Sequence, residues 1–294
     1  MGGVETFKSS LRVAGAMKTD VGCVRCLNED SVVFVMPPPA APDAKFGALA
    51  LVADGMGGHA AGEIASALAV EVIWRVFYSM DAPPPQVLSA ALEAANRAIL
   101  EHAAAHPECA GMGTTCTVLG VRDGSLWLGH VGDTRAYILR DNHLTQLSDD
   151  QTLHAQMVRD GLMEAGEAGT GPGSNVILQA LGTRDEIEPT VWEEGLPLRV
   201  GDVVVLCSDG LHGLVADEKI TSIVAKFAPA EACQRLVDAA RAGGGYDNIS
   251  VGVFVIENDA AAPQAQAATR RISVAGLAEP PPTATIVIGA GGKS

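Results

Sequence analysis

Short apolar runs bounded by Gly, Asp or Asn constrain this chain more than any other feature. The stretches "SVVFVM" (31–36), "FGALALVAD" (46–54), "TTCTVLGV" (114–121), "SLWLGHVGD" (125–133), "RAYILR" (135–140), "DVVVLCSD" (202–209) and "NISVGVFVI" (248–256) have strand length and strand composition. "VRDGSL" predicts a tight hairpin, because Asp123-Gly124 can take the positive φ values of a two-residue turn. Between the runs, helical periodicity places Ile64, Leu68, Val72 and Val76 on one face of 62–79, and Leu88, Ala91, Leu92, Ala95 and Ile99 on one face of 86–105. Further helices are expected over 151–163, 217–226 and 229–242, and a mobile loop over 164–175. Hairpin strands with helices inserted in pairs favour antiparallel sheets covered by helices over a βαβ series.

Composition narrows the function. With 294 residues and 48% hydrophobic content the chain can bury a full core, so one domain is expected over 1–257. Residues 258–294 are rich in Ala and Pro and lack aromatics, which predicts a largely disordered tail. A net charge of −15 with only 20 basic residues argues against nucleic acid as a partner. No apolar run reaches the roughly 20 residues that span a bilayer, and the N-terminus lacks a hydrophobic core with a cleavage site, so no membrane association and a cytoplasmic location are expected. Six cysteines are too sparse for a disulfide scaffold, and Cys207 lies inside an apolar run, which suits a reducing compartment.

The acids carry the chemistry. Asp54 ends "LALVA", Asp209 follows "VVVLCS", and Asp247 precedes "NISVGVFV". Any one of them alone is an ordinary turn residue. Together with Asp133 in "HVGDTRAY" and Glu29-Asp30 in "RCLNED", they suggest hard oxygen ligands converging at one end of a sandwich. Such a cluster repels itself unless a cation balances it, and Mg²⁺ or Mn²⁺ favours carboxylate, carbonyl and water oxygens.

Six motifs, "GCVRCLNED", "ADGMGGHAAGE", "GMGTT", "GDTRAY", "LCSDGL" and "GGYDNIS", occur in the order and spacing that resemble the metal-dependent Ser/Thr protein phosphatases (PPM, type 2C), in their bacterial branch. The resemblance covers about residues 12–257. It implies an α/β fold, a four-layer α-β-β-α sandwich of two mainly antiparallel sheets with helices outside and a binuclear metal site at one edge. By the same resemblance Asp54 bridges two divalent cations, Mn²⁺ or Mg²⁺, the Gly55 carbonyl binds the second, and Asp209 and Asp247 complete the first. Glu29, Asp30 and Thr115 would hold metal-bound waters, and Arg25 would fork onto the substrate phosphate. Direct attack of a metal-bridging water or hydroxide would hydrolyse phosphoserine and phosphothreonine in phosphoprotein substrates, opposing a cognate cytoplasmic Ser/Thr kinase. A small-molecule phosphoesterase and a catalytically dead phosphoprotein-binding regulator are the alternatives, and the presence of all three Asp ligands speaks against the latter.

Departures from the family pattern affect mechanism. Met56 stands where animal members have a His after the Asp-Gly pair, and a thioether cannot donate a proton. His59, three residues on, reads as a cap or surface residue. Gly213 replaces a carboxylate found in some members, so a third metal held by Asp133 and Asp209 would be weak, and Gln151 stands where a His is frequent. The "CVRC" stretch does not match a thiol phosphatase, whose Cys lies five residues before its Arg. Cys23 and Cys26 read as incidental thiols, with a redox effect on Arg25 as the alternative. In the tail, "TRRIS" presents Ser273 to basophilic kinases, with a solvated spacer as the plainer reading.

Overall fold

Alternation along the strands builds three apolar layers. The computed structural model describes residues 11–57, 61–164 and 176–258. Gly58, His59, most of the 164–175 loop and the tail from 259 onward, including Ser273, lie outside the described residues. One sheet has the order β1 (Leu11–Asp20), β12 (Ile249–Asn258), β11 (Val203–Cys207), β7 (Arg135–Arg140), β8 (His143–Gln146). The second has the order β10 (Leu196–Pro197), β6 (Ser125–Val131), β5 (Cys116–Arg122), β3 (Ala48–Met56), β2 (Asp30–Val35), with β4 (Gly113–Thr114) on β3 and β9 (Thr190–Val191) on β6. Every ladder between these strands is antiparallel.

Between the sheets lie Val32, Phe34, Ala50 and Val52 from one side and Val204, Leu206, Phe254 and Ile256 from the other. Their chain neighbours point outward. Val33, Leu49 and Leu51 pack beneath α1 (Ala61–Phe77) and α2 (Pro84–Ala105), while Val205, Val251 and Val253 pack beneath α4 (Asp209–His212), α5 (Asp217–Val224) and α6 (Pro229–Ala242). This is the period of two expected of strands buried on both faces. The Asp123-Gly124 hairpin forms as expected, with φ of 51° and 76° and Arg122 paired to Ser125. Among the described residues no helix is long and apolar enough to cross a membrane.

Three local expectations need correction. The run through Asp54 does not stop there: β3 continues to Met56 because β4 pairs with it, Gly55 opposite Thr114. The face of α1 that meets the sheet is not Ile64, Leu68, Val72 and Val76, which are only partly buried, but Ala61, Ala65, Ala69, Val70, Ile73 and Phe77. Small side chains let the helix lie close to the sheet, and the larger ones flank it. The helix expected over 151–163 is shorter, α3 (Leu153–Arg159), capped by the Thr152 hydroxyl and followed by Gly161 at φ +69°.

Candidate active site

The register of both sheets brings the marked acids to one edge. In one sheet Asp30 at the start of β2 stands opposite Asp54 near the end of β3. In the other, Cys207 at the end of β11 pairs with Val251 of β12 and Arg135 of β7, so Asp209, Asp247 and Asp133 leave their strands at the same edge. Arg25, Glu29, Gly55 and Thr115 join them. Thr115 N–H donates to the Asp54 carbonyl at 2.9 Å, and Gly55 N–H donates to the Glu29 carbonyl at 3.1 Å. Gly55 also meets Gly62 of α1: a Cβ on Gly55 would stand 2.1 Å from the Gly62 carbonyl oxygen, and one on Gly62 would stand 2.5 Å from Glu29 Oε1. Only two glycines permit this contact, which sets the first turn of α1 against Glu29.

Two side chains not singled out from the sequence join the sheets here. The Ser208 hydroxyl donates to Asp30 Oδ2 at 2.8 Å and accepts from Ser250 N–H at 3.0 Å. Asn248 accepts from Glu29 N–H at 2.7 Å through Oδ1 and donates through Nδ2 to the carbonyls of Val21 and Leu27 at 3.0 and 2.9 Å. It thereby fixes both ends of the loop that carries Arg25. The Arg25 guanidinium, half exposed, donates to Asp247 Oδ2 at 2.7 Å and lies 3.9 Å from Glu29.

The carboxylates oppose one another. Burial, then Asp30, Asp209, Asp133 and Asp247, hold the Asp54 carboxyl well above the usual range. Asp30 is pushed up to about 7 by burial, against hydrogen bonds from Ser250 and Ser208. Asp133 is pushed up to about 7 by burial and by Asp209, and Asp209 is raised by burial and by Asp247. Glu29 is raised by burial, partly offset by Arg25. Among the described residues no three His, Cys, Asp or Glu side chains close on one point, so the acids form a gathering rather than a finished cage.

Their chemistry nevertheless fits divalent cations. Glu29 Oε1, Asp30 Oδ1, Thr115 Oγ1 and Asp209 Oδ1 are buried without a protein partner, and they make up four of the seven such side-chain atoms among the described residues. Four orphaned oxygens beside mutually repelling carboxylates are a donor set for a hard cation. Histidine does not compete for the role. His130 Nε2 donates to the Asp149 carbonyl and His212 Nε2 to the Asp133 carbonyl. Burial lowers both imidazoles, that of His212 to about 4. Met56 sits at the end of β3 paired with Gly113.

Comparison with known proteins identifies the family. The family model described as Protein phosphatase 2C matches residues 40–240. The serine/threonine protein phosphatase PstP of Mycobacterium tuberculosis is 40% identical over 242 residues, which is 81% of this chain and 44% of that protein. The chain thus spans less than half the length of this curated relative. The crystal structure of the PstP catalytic domain in complex with two manganese ions superposes with a TM-score of 0.72 at 37% identity, covering 84% of this chain and all of that one. The serine/threonine phosphatase of S. agalactiae superposes with a TM-score of 0.75 at 29% identity, over 84% and 100% of the two chains. A family match over most of the chain and a shared sandwich show that the chain belongs to the protein phosphatase 2C family.

Proposed function

We propose that this protein hydrolyses phosphoserine and phosphothreonine in phosphoproteins, using two divalent cations, Mn²⁺ or Mg²⁺. The observation that carries the proposal is the set of orphaned, buried oxygens on Glu29, Asp30, Thr115 and Asp209 among carboxylates that repel one another. Asp54, the Gly55 carbonyl, Asp209 and Asp247 are the residues to hold the two cations, and Asp133 with Asp209 a weaker third. Bound cations supply charge for the phosphoryl oxygens and lower the pKa of water to make a nucleophile near neutral pH. Glu29, Asp30 and Thr115 orient the water on that side of the site through their free oxygens. Ser208 and Asn248 keep Asp30 and Glu29 in place across the two sheets.

Arg25 does the recognition. Its half-exposed guanidinium lies on the rim beside Asp247, where two N–H groups can grip a phosphate and stabilise the charge that builds on it. Among the described residues Met56 has no proton to give and His130 and His212 are buried and bonded to backbone carbonyls, so water is the proton source for the leaving group there. Aryl phosphates, whose leaving groups need no proton, should therefore react faster than phosphoserine. We place the protein in the cytoplasm, opposing a Ser/Thr kinase; six cysteines without a disulfide support a reducing compartment. The test is hydrolysis of a phosphothreonine peptide with added Mn²⁺ or Mg²⁺ and again in excess EDTA. Turnover that requires the cation supports the assignment, and equal turnover in EDTA overturns it.

A further inference from the structure

Apolar side chains stand exposed on the rim of the site. The loop 21–28 and the loop 243–248 are tied together: Cys23 N–H donates to the Gly245 carbonyl at 2.8 Å, and Asn248 holds Val21 and Leu27. Arg25 from the first loop meets Asp247 from the second. Immediately before each partner of this ion pair comes a large exposed apolar residue, Val24 (64% exposed) before Arg25 and Tyr246 (63% exposed) before Asp247, with Leu27 (48% exposed) beside them in the first loop. Tyr246 is the only aromatic among the large exposed hydrophobics of the described residues.

The backbone holds the tyrosine ring in place. A Cβ on Gly244, whose φ is +126°, would stand 2.4 Å from Tyr246 Cζ, so the hydroxyl end of the ring lies against the glycine backbone while most of the residue stays exposed. An exposed ring fixed by its own loop loses little rotamer freedom when a second side chain packs on it. Clustered exposed apolar residues rimmed by charge mark interaction sites. The charges around these residues are paired, Arg25 with Asp247 and Glu29, and Arg241 with Asp20, so the apolar side chains are the unpartnered surface of the rim.

We propose that Tyr246, Val24 and Leu27 form an apolar platform that seats the residues flanking the phosphorylated residue of a protein substrate, selecting substrates with apolar neighbours. The proposal rests on the phosphoprotein phosphatase reading. A phosphate gripped by Arg25 places the chain on either side of it over the same two loops, and those loops offer apolar surface.

The experiment compares two phosphothreonine peptides that differ only in having Leu or Ser on both sides of the phosphorylated residue. It measures kcat/KM with Mn²⁺ for the full-length protein, for Tyr246→Ala, for the double variant Val24→Ser with Leu27→Ser, and for Tyr246→Phe. The ratio between the two peptides within each variant cancels changes at the reacting phosphate and any loss of folded protein. The unaltered protein should favour the Leu peptide by about tenfold, mainly through KM, the scale of apolar pocket discrimination. Tyr246→Ala and the double variant should each reduce the ratio to about threefold or less, and Tyr246→Phe should keep it, because the ring and not the hydroxyl is required. Hydrolysis of both peptides at equal rates overturns the platform and leaves the phosphatase reading standing. A preference that persists in Tyr246→Ala and in the double variant places the selectivity elsewhere. Hydrolysis of an aryl phosphate with neither peptide cleaved overturns both.

Discussion

Replacing Asp133 by Asn should stabilise the cation-free protein increasingly as pH rises from about 4 and most at alkaline pH. Burial, reinforced by Asp209 and Asp150, pushes the Asp133 carboxyl up to about 7, against about 3.9 in an unfolded chain. The folded state therefore keeps its proton to a higher pH than the unfolded state does. The stability from this group is fully present below about pH 4 and lost as pH rises through about 7. A displacement of that size corresponds to about 4 kcal/mol once the group is fully ionised, and for a domain of this size about 4 kcal/mol moves Tm by about 10 °C. Asn has the shape of the protonated acid and nothing to ionise. Scanning calorimetry in excess EDTA at pH 5, 6.5 and 8 should show a gap between Asp133→Asn and the unaltered protein of about 4 °C at pH 5 that widens to about 10 °C at pH 8. Saturating Mn²⁺ should narrow it, since a cation then balances the carboxylate. A gap of the same size at pH 5 and pH 8, or a variant that is less stable at pH 8, would refute the claim that Asp133 sits among repelling acids.

Other perturbations follow from the same geometry. Asp54→Asn and Asp209→Asn should each lower the rate of aryl phosphate hydrolysis by at least about 10³-fold, because each removes a charged ligand; losses under tenfold would remove them from the centre. Arg25→Ala should lower kcat/KM by about 10- to 100-fold through loss of a charge-assisted grip on phosphate. Calorimetric Mn²⁺ affinity should be kept or slightly raised, since Asp247 is freed from its 2.7 Å ion pair; a collapse in affinity would make Arg25 structural. Asn248→Ala removes three hydrogen bonds from a residue only 4% exposed, which should cost about 3 kcal/mol in a urea titration. A cost below about 1 kcal/mol would contradict its role in anchoring the Arg25 loop.

Much of this was legible in the chain because it is written in periods and turns. The alternation in "LALVAD" and "VVVLCSD" is the alternation of the layers, and Asp123-Gly124 makes the hairpin it predicts. The acids were legible as a set because each closes or opens an apolar run, and register carries strand ends to a common edge. The strand β1 was not legible. "LRVAGAMKTD" has small residues where bulky ones mark a strand, since the Phe254 ring fills the space beside Gly15, where a Cβ would stand 2.3 Å away. The α1 face was misread for a related reason: Ala65 and Ala69 are buried by close approach, which hydrophobic size does not signal. Ser208 and Asn248 act across the sheets, and their partners Asp30 and Glu29 lie 178 and 219 positions away. A buried amide directly after a strand-edge Asp was the available signal for Asn248, and no local pattern marked Ser208.

Whether these carboxylates hold two cations is decided by a Mn²⁺ titration of the EDTA-treated, dialysed full-length protein by calorimetry, in parallel with Asp54→Asn. Saturable binding of about two cations by the unaltered protein is expected, with protons released near pH 6 because the carboxyls of Asp30 and Asp133, pushed up to about 7, give up protons as the cation arrives. Asp54→Asn should lose most of that binding. A full-length protein that hydrolyses phosphothreonine without binding Mn²⁺ or Mg²⁺, or an Asp54→Asn variant that binds as the unaltered protein does, would contradict the two-cation site.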